Sequence, residues 1–129
     1  MTATPRAVEL ATEAALAASD KLATDVVAID VSEQLVITDV FLLAAAPNDR
    51  QVRAIVDAIE ERLLGIGVKP LRREGEREGR WVLLDFGELV VHVQHADERE
   101  YYALERLWRD CPTIALPEQV HAGAGAVRE

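Results

Sequence analysis

Apolar and polar residues recur along the chain with two different periods, which divide it into helices and strands. The segment 5–23 is alanine-rich with apolar residues at helical spacing, and Thr4 before Pro5 is typical of a helix start. The segments 25–31 and 35–45 are almost continuously apolar and rich in β-branched residues. With a short polar break between them, they predict two strands.

The clearest helix pattern begins after Asn48, which can cap the helix while Gln51 reaches back as the second half of a capping box. Its apolar stripe comprises Val52, Ile55, Val56, Ile59 and Leu63. Gly65 and Gly67 are expected to end it. The segment 68–74 then predicts a strand, and its proline favours an edge position in the sheet.

Residues 80–95, RWVLLDFGELVVHVQH, predict two antiparallel strands around a Phe86-Gly87 turn. If Asp85 lies opposite Glu88, the alternation of strand side chains sorts the hairpin into two faces. The wholly apolar face comprises Val82, Leu84, Leu89, Val91 and Val93. The other, called the mixed face below, comprises Trp81, Leu83, Asp85, Glu88, Val90, His92 and Gln94.

A last helix is predicted after Asp97, with Tyr101, Leu104 and Trp108 along one side. Periodicity stops beyond Pro112, so we expect one domain over 1–112 and a flexible tail over 113–129.

The order helix, strand, strand, helix, three strands, helix predicts an α+β fold with a mixed sheet of about five strands. Two long helices with one apolar stripe each can cover only one face of such a sheet well. The apolar hairpin face is the natural one to cover, which would leave the mixed face open or thinly covered.

Charge narrows the classes of partner. The chain has 23 acidic and 14 basic residues, a formal net charge of −9. Phosphate backbones would be repelled, so we expect no direct, specific nucleic-acid binding. The acidic surface suits a basic protein partner, or it only keeps the protein soluble.

The other bulk features point to the cytoplasm. No apolar run is long enough for a membrane span, and no leader is apparent. A single cysteine, Cys111, excludes an internal disulfide and fits a reducing compartment.

Candidate catalytic groups are weak. The carboxylates Asp30, Asp39 and Asp85 could form a metal cluster for nucleotidyl transfer, but the pair of carboxylates at alternate positions of one strand that such enzymes use is missing. His92 and His95 point to opposite faces of a strand and cannot share a metal. We therefore expect no enzyme activity, no metal and no cofactor.

The mixed face is the better candidate site. Trp81, Leu83, Val90 and His92 would form a contiguous patch, and an indole buries much area at low entropic cost. Such a patch usually meets another protein. The alternative is a solvent-exposed sheet surface with an incidental tryptophan.

Four segments together resemble the ribosomal silencing factor family, also called the Iojap or RsfS family. They are VVAIDVSEQLVITDVFLL, DRQVRAIVDAIEERL, REGEREGRWVLLDFGELVVHV and EREYYALERLW, and they span about residues 7 to 110. Val40 and Phe86 stand where members of this family often have tyrosine, which bears on contact details more than on the role.

The resemblance implies a nucleotidyltransferase-like fold without the active site, and a non-enzymatic factor that binds the large ribosomal subunit through its fourteenth L-series protein. Such binding blocks joining of the small subunit and represses translation; the family is also linked to large-subunit assembly. The expected partner-binding residues are Trp81, Leu83, Asp85, His92, Arg99, Tyr101 and Tyr102. A homodimer of the free protein through the same patch is possible, and a metal-dependent nucleotidyl-transferring enzyme is the alternative function.

Overall fold

The computed structural model describes residues 2–102 and 108–120. The helices are α1 (Pro5–Asp20), α2 (Asp49–Leu64) and α3 (Ala96–Tyr102). The strands are β1 (Thr24–Asp30), β2 (Val40–Ala46), β3 (Arg72–Glu74), β4 (Trp81–Asp85), β5 (Leu89–His95) and β6 (Thr113–Ile114). No described helix is both long and apolar enough to cross a bilayer.

Helix α1 begins as its sequence predicts. The Thr4 side chain accepts a hydrogen bond from the Ala7 backbone N–H at 3.1 Å, and Pro5 opens the first turn. The helix ends at Asp20, three residues before the predicted end. It cannot continue through Leu22, because the φ of 63° at this residue is incompatible with a right-handed helix. Its fully buried residues are alanines, namely Ala7, Ala11, Ala14, Ala15 and Ala18. Small side chains let this helix pack close to its neighbours.

Helix α2 has the predicted cap but not the predicted capping box. Asn48 Oδ1 accepts from Gln51 N at 2.8 Å. The Gln51 side chain instead donates to the carbonyls of Lys21 (3.0 Å) and Leu22 (3.2 Å), which ties the start of α2 to the end of α1. The predicted apolar stripe of α2 is buried throughout.

The six strands form one sheet in the order β3-β4-β5-β2-β1-β6. Neighbours are antiparallel except β2 and β5, which run parallel in the centre. The fold is therefore α+β with a mixed sheet, as predicted, and β3 occupies the predicted edge position. The sequence pattern did not predict β6, a two-residue strand on the opposite edge.

The hairpin register differs from the predicted one. Asp85 lies opposite Val90 rather than Glu88, and the Phe86 N–H donates to the Leu89 carbonyl at 2.8 Å. The slip is two residues, and an even slip leaves every side chain on its predicted face. The apolar hairpin face is fully buried under α1 and α2.

The mixed face is less open than predicted. At its β1–β2 end a second apolar cluster forms from Ile29, Val31 and Leu43, and further side chains pack on it. These are Val27, Leu35, Phe41, Trp108 and Cys111. At the β4–β5 end the face stays partly exposed.

Part of the predicted tail packs against the sheet. Residues Thr113 and Ile114 pair with β1, and Val120 is buried in the main core. Residues 121–129 lie outside the described residues, so the tail as a whole stays a prediction.

Candidate functional site

The mixed face extends over three neighbouring strands. Antiparallel pairing places Trp81 opposite Gln94 and Leu83 opposite His92. Parallel pairing then places Leu43 of β2 beside His92. Two neighbouring rows of side chains thus run from the β3 side of the sheet to its centre.

Trp81 is the largest partly exposed side chain in these rows. Its indole Nε1 donates to His92 Nδ1 at 3.1 Å, and the two rings tilt by 53° with centroids 6.1 Å apart. The indole is partly exposed, so it offers apolar area to solvent in an orientation that the hydrogen bond restricts.

His92 is only 7% exposed, in contrast to the predicted open position. Burial lowers the pKa of His92 from 6.5 to about 4, so the imidazole is neutral at physiological pH. Because Nδ1 accepts from the indole, the hydrogen of the neutral ring lies on Nε2. Within the described part of the chain, Nε2 has no hydrogen-bond partner. This histidine supports the indole rather than working as an acid or base near pH 7.

Two further aromatic rings extend the contacts of His92 on this face. Phe41 meets His92 edge-on with centroids 5.2 Å apart, and Trp108 meets Phe41 in the same way at 5.3 Å. The hairpin pattern alone missed both rings. Phe41 reaches this face through the parallel pairing of β2 with β5, a contact that no local pattern reveals.

Gln94, which the sequence predicts on the open mixed face, is fully buried. Neither its amide oxygen nor its amide nitrogen has a hydrogen-bond partner in residues 2–102 and 108–120. A buried amide without partners is destabilising by about 1–3 kcal/mol.

The other predicted site residues are divided between surface and interior. Leu83 and Val90 are partly exposed beside Trp81. Asp85 accepts from the Gly87 N–H at 2.8 Å and lies 3.8 Å from Arg72, so it stabilises the β4–β5 turn.

On α3, Arg99 is buried. Tyr101 and Tyr102 belong to the same helix, and their side chains lie outside the described residues. The structure therefore places Trp81, Leu83 and Asp85 at the surface of one hairpin.

Two of the carboxylates considered for catalysis, Asp30 and Asp39, bind the backbone of the N-terminal segment. Asp30 accepts from Ala3 N at 2.8 Å and from Ser32 Oγ at 2.6 Å. Burial would raise the pKa of Asp30, but the hydrogen bonds from Ser32 and Ala3 outweigh it, and the pKa lies below its usual value. Asp39 accepts from Thr4 N at 2.9 Å.

Among the described residues, no group of three or more Asp, Glu, His or Cys side chains could hold a metal ion. A cavity of about 740 Å³ lies elsewhere, between the end of α2 and β3, with Leu64 and Leu71 in its lining.

Comparison with known proteins gives a consistent assignment. The family model described as "Ribosomal silencing factor during starvation" matches residues 4–128. Ribosomal silencing factor RsfS of Bacillus subtilis is 44% identical over 103 residues, covering 80% of this chain and 87% of that protein.

Two crystal structures share the fold. A protein from Bacillus halodurans is 41% identical with a TM-score of 0.74, covering 84% of this chain and 98% of that one. A protein from Chromobacterium violaceum is 33% identical with a TM-score of 0.75, covering 78% and 83%. A more distant relative, "Mitochondrial assembly of ribosomal large subunit protein 1" of Mus musculus, is 28% identical over 67% of this chain and 39% of that protein. The family match over nearly the whole chain and the identity to RsfS proteins show that this chain belongs to the RsfS family of ribosomal silencing factors.

Proposed function

We propose that this protein binds the large ribosomal subunit and represses translation by blocking its association with the small subunit. Membership of the silencing factor family supports the role. The observation that carries the mechanism is the partly exposed hairpin end of the mixed face, where Trp81 is oriented by His92.

The proposed partner is a basic protein of the large subunit, the fourteenth of its L-series. A surface of net charge −9 favours encounter with a basic protein and disfavours direct contact with rRNA. Trp81, Leu83 and Asp85 would touch the partner, while the buried His92 and Arg99 would position that surface. Tyr101 and Tyr102, at the end of α3, would extend it.

Steric exclusion is sufficient for this activity, and no bond needs to be made or broken. A folded domain attached to the joining face of the large subunit occupies space that the small subunit would fill. Its negative charge adds repulsion of rRNA phosphates, which physiological salt screens beyond about 8 Å.

A subunit-joining assay tests the proposal. Purified subunits are mixed with and without the protein and separated by sedimentation. The expected result is fewer joined ribosomes and co-sedimentation of the protein with large subunits alone. An unchanged yield of joined ribosomes at saturating protein would contradict the proposed function.

The anchor residue is tested with Trp81→Ala, for which we expect at least about tenfold weaker binding to large subunits, the size of a hot-spot loss. Leu64→Ser is the matched control, because Leu64 is 53% exposed on α2, on the other side of the sheet. Circular dichroism establishes that both variants fold. Equal affinity of Trp81→Ala and the wild type would remove the indole from the site.

Two further properties are part of the proposal, self-association through the same surface and a role in large-subunit assembly. The free protein would form a symmetric dimer through the mixed face, measurable by analytical ultracentrifugation and lost on ribosome binding. A role in large-subunit assembly is favoured by the printed name of the mouse relative. That role predicts accumulation of large-subunit precursors when the protein is depleted.

The rival function is metal-dependent nucleotidyl transfer. Calorimetry with magnesium and a nucleoside triphosphate distinguishes the two. The silencing factor should give no binding heat, and a saturable heat would favour the enzyme.

A further inference from the structure

The loop between β1 and β2 exposes two adjacent aliphatic side chains. Val36 is 101% exposed and Ile37 is 86% exposed. Each is as accessible to water as in an unfolded peptide, so neither contributes burial to the fold. Apolar residues are often exposed singly, but a fully exposed pair at a loop tip is unusual.

The loop around this pair is held in place at several points. The Val31 N–H donates to the Asp39 carbonyl at 2.9 Å, which closes the loop at its base. The N–H groups of Gln34 and Leu35 both donate to the Val31 carbonyl, at 3.0 and 2.9 Å. Leu35 packs on the second apolar cluster. The exposed pair is therefore presented by an anchored loop.

The pair lies beside the mixed face, at the end where the hairpin turns. The Asp39 N–H donates to the Glu88 carbonyl at 3.0 Å, so the end of the loop adjoins the β4–β5 turn. The cluster that holds Leu35 includes Leu43 and Phe41, the neighbours of His92 on the mixed face.

The chain segments that carry the pair and the neighbouring hairpin are acidic. Residues 22–49 and residues 81–98 contain no lysine or arginine, but they contain several carboxylates, including Glu33, Asp39 and Glu88. An anionic membrane or RNA would be repelled, and the like charges of a second copy would make the dimer proposed above weaker than binding to a basic protein. A basic protein with an apolar recess would complement both the negative charge and the exposed aliphatic pair.

We infer that Val36 and Ile37 form a second anchor for the basic protein of the large subunit, inserting into an apolar recess of that protein while Trp81 holds the mixed face against it. This inference rests on the proposed function and extends its contact surface by one loop. The two anchors lie on separate elements, so together they would define the orientation of the bound protein.

The test is the affinity of the full-length Val36→Ser/Ile37→Ser variant for purified large subunits, at low and at high salt. We expect roughly 10- to 100-fold weaker binding, the loss for two buried aliphatic side chains after partial compensation. The factor should be similar at both salt concentrations, since the lost contact is apolar. Folding should be unchanged, because both side chains are exposed and their replacement removes no buried contact.

A matched control is Leu22→Ser/Leu64→Ser. These leucines are 62% and 53% exposed at the ends of α1 and α2, the helices that cover the opposite face of the sheet, and their replacement removes a similar apolar area there. This control should bind within about twofold of the wild type.

Three results would overturn the inference while leaving the proposed function intact. They are equal subunit binding by the loop variant and the wild type, a loss confined to self-association in ultracentrifugation, and a loss confined to flotation with phosphatidylglycerol vesicles. If the wild type itself does not bind large subunits, the proposed function fails and the inference fails with it.

Discussion

The burial of His92 predicts a specific loss of stability on acidification. In the unfolded chain this imidazole takes up a proton below about pH 6.5, whereas in the folded protein its pKa is about 4. Between these values the unfolded state binds more protons, so stability falls as the pH drops. Above about pH 6.5 both states are neutral here, and below about pH 4 the loss is complete. The full difference is about 3 kcal/mol.

The assay is urea unfolding of the wild type and His92→Gln over this pH range, followed by tryptophan fluorescence. Glutamine keeps an acceptor for the indole of Trp81 but does not titrate. We expect the wild type to lose about 3 kcal/mol more than the variant between about pH 7 and pH 4. Asp30 does not contribute to the change between pH 7 and pH 4. Its pKa is lowered in the folded protein, so the stability that its charge contributes is lost only below the usual pKa of 3.8.

Parallel pH profiles for the wild type and His92→Gln would refute the reasoning. That result would mean that the imidazole reaches solvent or a proton acceptor in the folded protein.

Two other substitutions test the structure. Gln94→Met should stabilise the protein by about 1–3 kcal/mol in urea unfolding, because it removes, at nearly constant volume, a fully buried amide that has no partner among the described residues. Gln34→Met on the exposed loop should be neutral. Destabilisation by Gln94→Met would show that the amide is satisfied. Gly75→Ala should lower the melting temperature more than Gly67→Ala: both glycines have positive φ, but only at Gly75 would a Cβ collide with a backbone carbonyl, that of Trp81. Equal losses at the two glycines would contradict this.

Much of the candidate site could be predicted from local pattern. The two-residue alternation around Phe86-Gly87 placed Trp81 and His92 on one face, and the slip in register was even, so this assignment is confirmed. Local pattern could not show how deeply each side chain is buried. His92 lies inside because Phe41, itself in contact with Trp108, approaches the same face, and such contacts between distant residues are tertiary.

The nucleotidyltransferase-like character of the fold, implied by the family resemblance, stays a prediction. So do the contact residues for the ribosome, including Tyr101 and Tyr102. Asp30 and Asp39 have a structural role, because they accept hydrogen bonds from the backbone of residues 3 and 4.

By itself, the sequence determined the elements whose signals are local. Thr4 and Asn48 cap α1 and α2, the spacing of apolar residues gives α2 one buried stripe, and strand alternation gives the hairpin its two faces. These features depend on hydrogen bonds and side-chain directions within a few residues, so they can be read from a short window.

The tertiary structure alone decided the parallel pairing of β2 with β5, the addition of β6 and the partial covering of the mixed face. It also decided that Val36 and Ile37 stand in solvent rather than inside a strand, since the segment assigned to β2 begins pairing only at Val40. Each of these depends on contacts between residues far apart in the chain. The free energy of such contacts comes from burial that forms only when the whole sheet and its helices are assembled.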